Sequence, residues 1–272
     1  MAHSARFELK YVIQEDRAVA IADFLSAFLR PSEHNGTRAI RGHPVISLYL
    51  DSPDLFLFRQ AYTGHKNRMK LRIRFYDDEW KRPAFLEVKR RVADVICKDR
   101  AMISREGVRQ ILSGGWPIQP YFPDANHLVH GKRRQDVNDD FWQFANTIKA
   151  TGAIYVSYIR EIWESPADDE LRVTLDRYIH GSRYDGSGRM AVPHRGWRPY
   201  LPPFLAPFPK DGVILELKFE ERAPRWMFDL VRIFNLHQVA VCKYSACIYA
   251  QQLHFRRPVL AEEEHDLPAL QI

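Results

Sequence analysis

The chain has 272 residues, 46% of them hydrophobic, enough for one domain with a sizeable core, and 40 Lys and Arg against 34 Asp and Glu leave a net charge of +6. A pI near 9.2 raises nucleic acid as a partner, but the basic residues sit on strands interleaved with acids, not in a surface helix or arm, so none is expected. Three cysteines, Cys97, Cys242 and Cys247, are too few for a disulfide framework and match no zinc spacing. They read as reduced and structural. Residues 1–8 lack the apolar run of a signal peptide, and no stretch of about 18 apolar residues could span a membrane, so a cytoplasmic protein is expected.

In chain order, Arg6-Phe7-Glu8-Leu9-Lys10-Tyr11 alternates so that Arg6, Glu8 and Lys10 share one face of a strand. Gln14 to Leu29 carries apolar residues at Ile21, Phe24, Leu25, Phe28 and Leu29, the helical spacing, and stops at Arg30-Pro31. Ser32 to Gly42 is polar loop, and His34 and His43 read as exposed histidines without a role. Val45 to Leu50 is a strand that ends in Asp51-Ser52-Pro53-Asp54, a turn or helix-entry signal, and Leu55 to Ala61 fits one or two helical turns.

Arg68-Met69-Lys70-Leu71-Arg72-Ile73-Arg74-Phe75-Tyr76 is the central stretch. Its inward row is all cations, and such a row repels itself unless water or an anion neutralises it. Taken alone it also fits a half-buried strand with a solvated face. The same alternation returns, however, at Phe85 to Arg90, which aligns Glu87 with Lys89, and at Lys98-Asp99-Arg100. Ser104 to Leu112 reads as a helix capped by Ser104. The 116–137 segment is loop with a Lys132-Arg133-Arg134 cluster that is either solvated or a landing patch for a polyanion.

Asn138 to Ala150 reads as an amphipathic helix and Ile154 to Trp163, with Tyr158 and Arg160, as a strand. Leu171 to Asp176 sets Arg172, Thr174 and Asp176 against Leu171, Val173 and Leu175. The 181–211 stretch is irregular and proline-rich and reads as a lid, with Lys210 and Asp211 as gate candidates. Ile214 to Phe219 repeats the Glu-x-Lys spacing at Glu216 and Lys218; Pro224 to Phe234 is a helix; Val241 to Ser245 reads as a last strand aligning Lys243 with Ser245. The Glu262-Glu263-Glu264 tail reads as solvated.

Brought together, these faces make a tube with a charged bore and an apolar outside covered by helices. A soluble barrel of about eight strands has room inside only for side chains or one small ligand, so a charged bore calls for a charged ligand. Inward cations at close spacing suit a triphosphate or polyphosphate, since arginine matches phosphate oxygens with its planar fork and lysine acts as a point charge. The few acids suit a hard divalent ion bridging to phosphate oxygens. Phosphoryl transfer asks for positioning and charge stabilisation, so a Ser/His/Asp set is not needed, and none is found.

In order, Glu8-x-Lys10, Ser47-Leu48-Tyr49-Leu50-Asp51, Lys70-x-Arg72-x-Arg74, Glu87-x-Lys89, Lys98-x-Arg100, Tyr158-x-Arg160, Arg172-Val173-Thr174-Leu175-Asp176, Glu216-x-Lys218 and Lys243-Tyr244 resemble the VTC (vacuolar transporter chaperone) domain. This is the polyphosphate polymerase branch of the triphosphate tunnel metalloenzymes, a CYTH-like superfamily. The resemblance spans about residues 5 to 250. It implies an α+β fold, an eight-stranded antiparallel β-barrel flanked by helices, with residues 1–255 as one tunnel domain and 256–272 as a tail. It implies that Lys10, Arg72, Arg74, Lys89, Arg172, Lys218 and Lys243 act on the ATP triphosphate, supported by Lys70, Lys98, Arg100, Tyr158, Arg160 and Ser245. Mn2+ or Mg2+ is implied at Glu216, helped by Glu8 or Glu87.

The implied activity is transfer of the ATP γ-phosphate onto inorganic polyphosphate. A triphosphatase on the same cage, or a polyphosphate receptor without catalysis, are the alternatives. The other branch of the superfamily opens Glu-x-Glu-x-Lys, whereas this chain has Arg6 at the first place; the family also has Ser before the last lysine, where this chain has Cys242.

Overall fold

The computed structural model of the protein describes residues 6–35, 41–77, 79, 81–92, 95–115, 128–129, 132–167, 171–187, 198–199 and 212–251. Eight long strands carry it: β1 (Arg6–Ile13), β2 (His43–Asp51), β3 (Arg68–Phe75), β4 (Ala84–Val92), β5 (Val95–Ile103), β6 (Thr151–Glu164), β7 (Arg172–Arg183) and β8 (Val213–Glu220). They form one antiparallel sheet in the order β1-β8-β7-β6-β2-β3-β4-β5. The two-residue pieces 30–31 and 198–199 add to β6 and β7. Eight long antiparallel strands are present, the number that the family resemblance implies.

Closure differs from that of a hydrogen-bonded barrel. Among the described residues β1 and β5 are the two edges and do not pair with each other. The sheet curls into a trough across which side chains meet: Lys89 on β4, the neighbour of edge strand β5, reaches Glu8 on β1 at 3.1 Å. A register shift in β7 between Arg177 and His180, with Tyr178 at φ 52°, adds to the bend.

Alternation decides the faces. Leu9, Tyr11 and Ile13 of β1, Val173 and Leu175 of β7, and Leu215 and Leu217 of β8 turn outward and are covered by α1 (Glu15–Leu25) and α5 (Arg225–Ile233). Met69, Leu71, Ile73 and Phe75 of β3 do the same under α3 (Arg105–Leu112) and α4 (Arg134–Thr147). Each such side chain contributes about 1.5–3 kcal/mol by leaving water. Ser104 caps α3 as expected, its hydroxyl accepting from the Gly107 N–H at 3.0 Å. No helix among the described residues is long and apolar enough to cross a membrane.

Two helices lie on the concave side. Asp51, fully buried at the end of β2, accepts from the N–H groups of Leu57 and Phe58 and so starts α2 (Phe56–Tyr62). Burial pushes its carboxyl up to about 6 against those bonds. The Tyr244 hydroxyl donates to the same carboxylate, and its ring stacks on Tyr49 at 4.7 Å.

Tyr244 belongs to α6 (Lys243–Ala250), where the sequence pattern predicts a last strand. The expectation of a strand at 241–245 is overturned: five residues of alternation cannot separate strand from helix, and Tyr244, Cys247 and Ile248 also fit an i, i+3, i+4 stripe, all buried. The inner surface of β6 and β7 receives that stripe. Gly181 permits the approach, because a Cβ there would sit 2.8 Å from the Cβ of Cys247. Gly181→Ala is expected to lower stability by about 1–3 kcal/mol through this overlap, read as a reduced denaturation midpoint at unchanged m-value.

Candidate functional site

Two adjoining cavities occupy the trough. The smaller, about 310 Å3 or roughly ten water volumes, is lined by eleven cations: Lys10, Lys70, Arg72, Arg74, Lys89, Lys98, Arg100, Arg160, Arg172, Lys218 and Lys243. Among the described residues only two acids, Glu8 and Glu216, share that lining. The larger, about 480 Å3, shares Glu8, Lys10, Lys70, Lys89 and Cys242 and continues past Arg68 and Arg91 to the 238–241 segment. β3 runs the length of both. Arg68 faces the larger space, Lys70 both, and Arg72 and Arg74 the smaller.

Register sets the charge pattern. Glu8 lies opposite Lys218 and Lys10 opposite Glu216, so β1 and β8 form a checkerboard. Arg72, Glu87 and Arg100 stand abreast on β3, β4 and β5, and so do Lys70, Lys89 and Lys98. The second row has no acid in it. Burial lowers the Lys89 ammonium to about 8, its neighbours Lys10 and Lys70 adding to the fall that Glu8 resists. Lys98 falls to about 7 by burial and the nearby Arg72 and Arg74, although Glu87 opposes this. Here the cations crowd one another.

The acids are the counterweight. Glu216 receives Lys218 at 2.7 Å, Lys243 at 2.8 Å and Arg160 at 3.3 Å. Burial alone would raise its pKa, yet these cations and Lys10 hold it well below the usual carboxylate range. Asp176, behind the lining, takes the Arg160 fork at 2.7 and 2.6 Å and Lys243 at 2.6 Å. Burial would likewise raise the Glu8 carboxyl, but Lys10 and Lys89 hold it low.

Fourteen of the sixteen residues named from the sequence line the smaller cavity. Tyr158 is among them: its hydroxyl accepts from Arg74 at 3.4 Å and its ring lies 5.2 Å from the Lys243 ammonium. Two do not. Ser245, expected on a strand beside Lys243, sits in the first turn of α6 with its hydroxyl 3.2 Å from Cys242 Sγ. Glu87 is 0% exposed, with Arg72 and Arg74 on one oxygen and Lys98 and Arg100 on the other. Its geometry is that of a counter-ion beneath the cation row rather than of a ligand facing the cavity. Burial would raise its pKa, and the four cations hold it well below the usual range.

The structure adds His43, Tyr49, Tyr76, Thr174 and Cys242 to the lining. Tyr49 accepts from Arg72 at 3.0 Å. The reading of His43 as an exposed histidine is overturned; it is half-buried opposite Arg160 in the β2–β6 register. Cys242 is more than a structural thiol: Lys70 Nζ lies 2.9 Å from its sulfur, and although burial alone would raise its pKa, that ammonium brings it down to about 6. Tyr49 and Thr174 could have been found from alternation, since each shares parity with an inward charged neighbour. His43 and Cys242 lie at element ends, where no periodicity speaks.

For a divalent ion, Glu216 and Glu8 are the carboxylates that reach the cavity, and Lys10 lies between them at 3.6 and 2.9 Å. Oxygen donors of this kind suit Mn2+ or Mg2+. Among the described residues no group of three His, Cys, Asp or Glu stands ready to hold an ion alone, so phosphate oxygens would complete the shell. The Lys132-Arg133-Arg134 side chains, most of the proline-rich 181–211 stretch with Lys210 and Asp211, and the Glu262-Glu263-Glu264 tail lie outside the described residues.

Two pH effects follow. Glu8, Glu87, Glu216 and Asp176 have folded pKa values below their ordinary 4.5 and 3.8. Their stabilisation is therefore complete above about pH 4.5 and is lost as pH falls through the depressed values. Thermal midpoints are expected to drop between pH 5 and pH 3, and Glu87→Gln to flatten that drop. Burial pulls the Lys98 and Lys89 ammoniums down to about 7 and 8, and an anion favours their charged forms. Triphosphate binding should weaken from pH 7 to 9 and take up protons, measured by calorimetry in buffers of different ionisation enthalpy.

Residues 5–251 match the family model described as the VTC domain, a domain associated with polyphosphate synthesis. No curated protein matches the chain.

Proposed function

The chain belongs to the VTC-domain family, and from the cavity its sheet builds we propose that it is a polyphosphate polymerase, moving the γ-phosphate of ATP onto inorganic polyphosphate. One observation carries this reading: eleven cations line a space of about 310 Å3 that opens into a second basic space of about 480 Å3. Hydrolysis needs only a seat for water. A growing chain needs room beyond the triphosphate, and the second space supplies it.

The chemistry asks little of side-chain proton transfer. The terminal oxygen of a polyphosphate chain is already an anion and attacks the γ-phosphorus of ATP; the bond to the β,γ-bridging oxygen breaks and ADP leaves with that electron pair. What the protein supplies is fixed positive charge around the three equatorial oxygens, in place before the substrate arrives. Arg72 and Arg74 offer planar forks, one braced by Glu87 and Tyr49 and the other by Tyr158. Lys70, Lys89 and Lys98 gain most from the anion, since they stand abreast on three neighbouring strands. Mn2+ or Mg2+ held by Glu216 and Glu8 would neutralise further phosphate charge. Lys218 and Lys243, both paired to Glu216, keep that carboxylate ionised and aimed.

The decisive experiment is incubation of the protein with ATP and Mn2+ and separation of products by length. Long chains with ADP are expected. Free phosphate without chains would overturn the reading in favour of a triphosphatase, and binding without turnover in favour of a receptor. Among the described residues Arg172 is paired only with the partly exposed Glu164 at 2.7 Å, a contact worth about 0–1 kcal/mol to folding. Arg172→Ala should therefore fold normally and lose about 10²–10³ in kcat/KM. Glu216→Gln should abolish transfer while ATP binding, followed calorimetrically, persists.

A further inference from the structure

The lining of the smaller cavity changes character at one end. Inward side chains along β3 run from Lys70 through Arg72 and Arg74, and the next inward residue, just past the strand, is Tyr76. Beside Tyr76 the wall carries the rings of His43 and Phe85, with Arg100 and Arg160 next to them. Tyr76 lies 6.0 Å from the His43 ring and 6.0 Å, edge-on, from Phe85. Arg100 rests its guanidinium 3.8 Å over Phe85 and donates to the Tyr76 hydroxyl at 3.1 Å. The wall is therefore tied together before any ligand arrives.

His43 is brought there by its predecessor. Gly42 has φ +128°, and a Cβ on it would lie 2.6 Å from the Arg160 carbonyl oxygen, so only glycine lets β2 begin hard against β6. Burial, with Arg160, His34 and Arg74 nearby and Asp176 opposing, holds the imidazole down to about 4, so it is neutral at physiological pH. Its Nδ1 is buried and has no hydrogen-bond partner among the described residues. A neutral ring with an unused nitrogen, set among aromatic neighbours, does little for a phosphate that eleven cations already serve. It matches the uncharged half of a nucleotide.

We propose that this mouth seats the nucleoside of the phosphate donor: the base stacks on Tyr76 and Arg100, and His43 Nδ1 bonds the ribose or the base edge. Bases stack on tyrosine rings and on guanidinium planes alike. Among the described residues the far end offers no rival, because the larger cavity is lined there by Ala61, Met69 and the 238–241 segment, without an aromatic ring. The seat gives the bore a direction. Adenosine sits at the Tyr76 mouth, the triphosphate points down the cation row, and the phosphate chain occupies the Arg68 and Arg91 end. The inference rests on ATP as the donor, and its test is a binding measurement independent of product formation.

With metal removed by chelator, so that no turnover occurs, calorimetric titration compares ATP with inorganic tripolyphosphate. The native protein should bind ATP more tightly than tripolyphosphate; equal affinity, or binding of tripolyphosphate alone, overturns the proposal. His43→Ala and Tyr76→Ala should each weaken ATP by about ten-fold and leave tripolyphosphate within about two-fold, which also reports an intact fold. Tyr76→Phe keeps the ring and should keep ATP affinity. Equal weakening toward both ligands, or no change toward either, overturns the proposal. An ATP-specific loss in a protein that makes no chains would refute the polymerase and leave the seat standing.

Discussion

A carboxylate with no contact with water makes the cation row possible. Glu87 lies behind Arg72, Arg74, Lys98 and Arg100, each within 3.7 Å of one of its oxygens. Moving one carboxylate out of water costs several kcal/mol, and moving four cations together would cost more. Side by side, the two terms offset each other. Glu216, Asp176 and Glu8 repeat the device around Lys218, Lys243, Arg160, Lys10 and Lys89. The acids are too few to complete it. What remains is positive charge in a closed space, and the row of Lys70, Lys89 and Lys98 is where it shows.

That residue of charge connects architecture to chemistry. Strands alternate, so the inward cations of β1, β3, β7 and β8 are anchored by outward leucines, valines and isoleucines packed under α1, α3, α4 and α5. The backbone that carries the charges is thus held by the apolar side of the same strands. A site built so needs little rearrangement when an anion enters, and preorganised charge stabilises a bound anion most when none of it must turn to face the ligand. The lowered pKa values of Lys89 and Lys98 record the same fact from the empty side.

The inner wall is not made of strands alone. α6 lies on the concave face of β6 and β7, Gly181 letting it approach, and its first turn presents Lys243 while Cys242 sits at its cap. Tyr244, Asp51 and the start of α2 lock it there. One buried aspartate therefore joins two helices to β2.

How much of this could be read beforehand follows from range. Alternation is local, and it marked Lys10, Arg72, Lys89, Arg172 and Lys218 as sharing the faces that converge. The same pattern on 241–245 misread a helix, since five residues carry two periodicities equally well and only the surface of β6 and β7 chooses between them. His43 was misread for a kindred reason: its burial depends on Gly42 touching the Arg160 backbone, more than a hundred residues away in the chain. Which residues are basic and which way each strand turns them were determined by the sequence itself, because a pleated backbone sends neighbours to opposite sides. That the strands curl around one space, that Glu87 sits beneath the row instead of in it, and that a helix supplies the last lysine were decided only in the tertiary structure, where distant surfaces meet and packing selects among local conformations of nearly equal free energy.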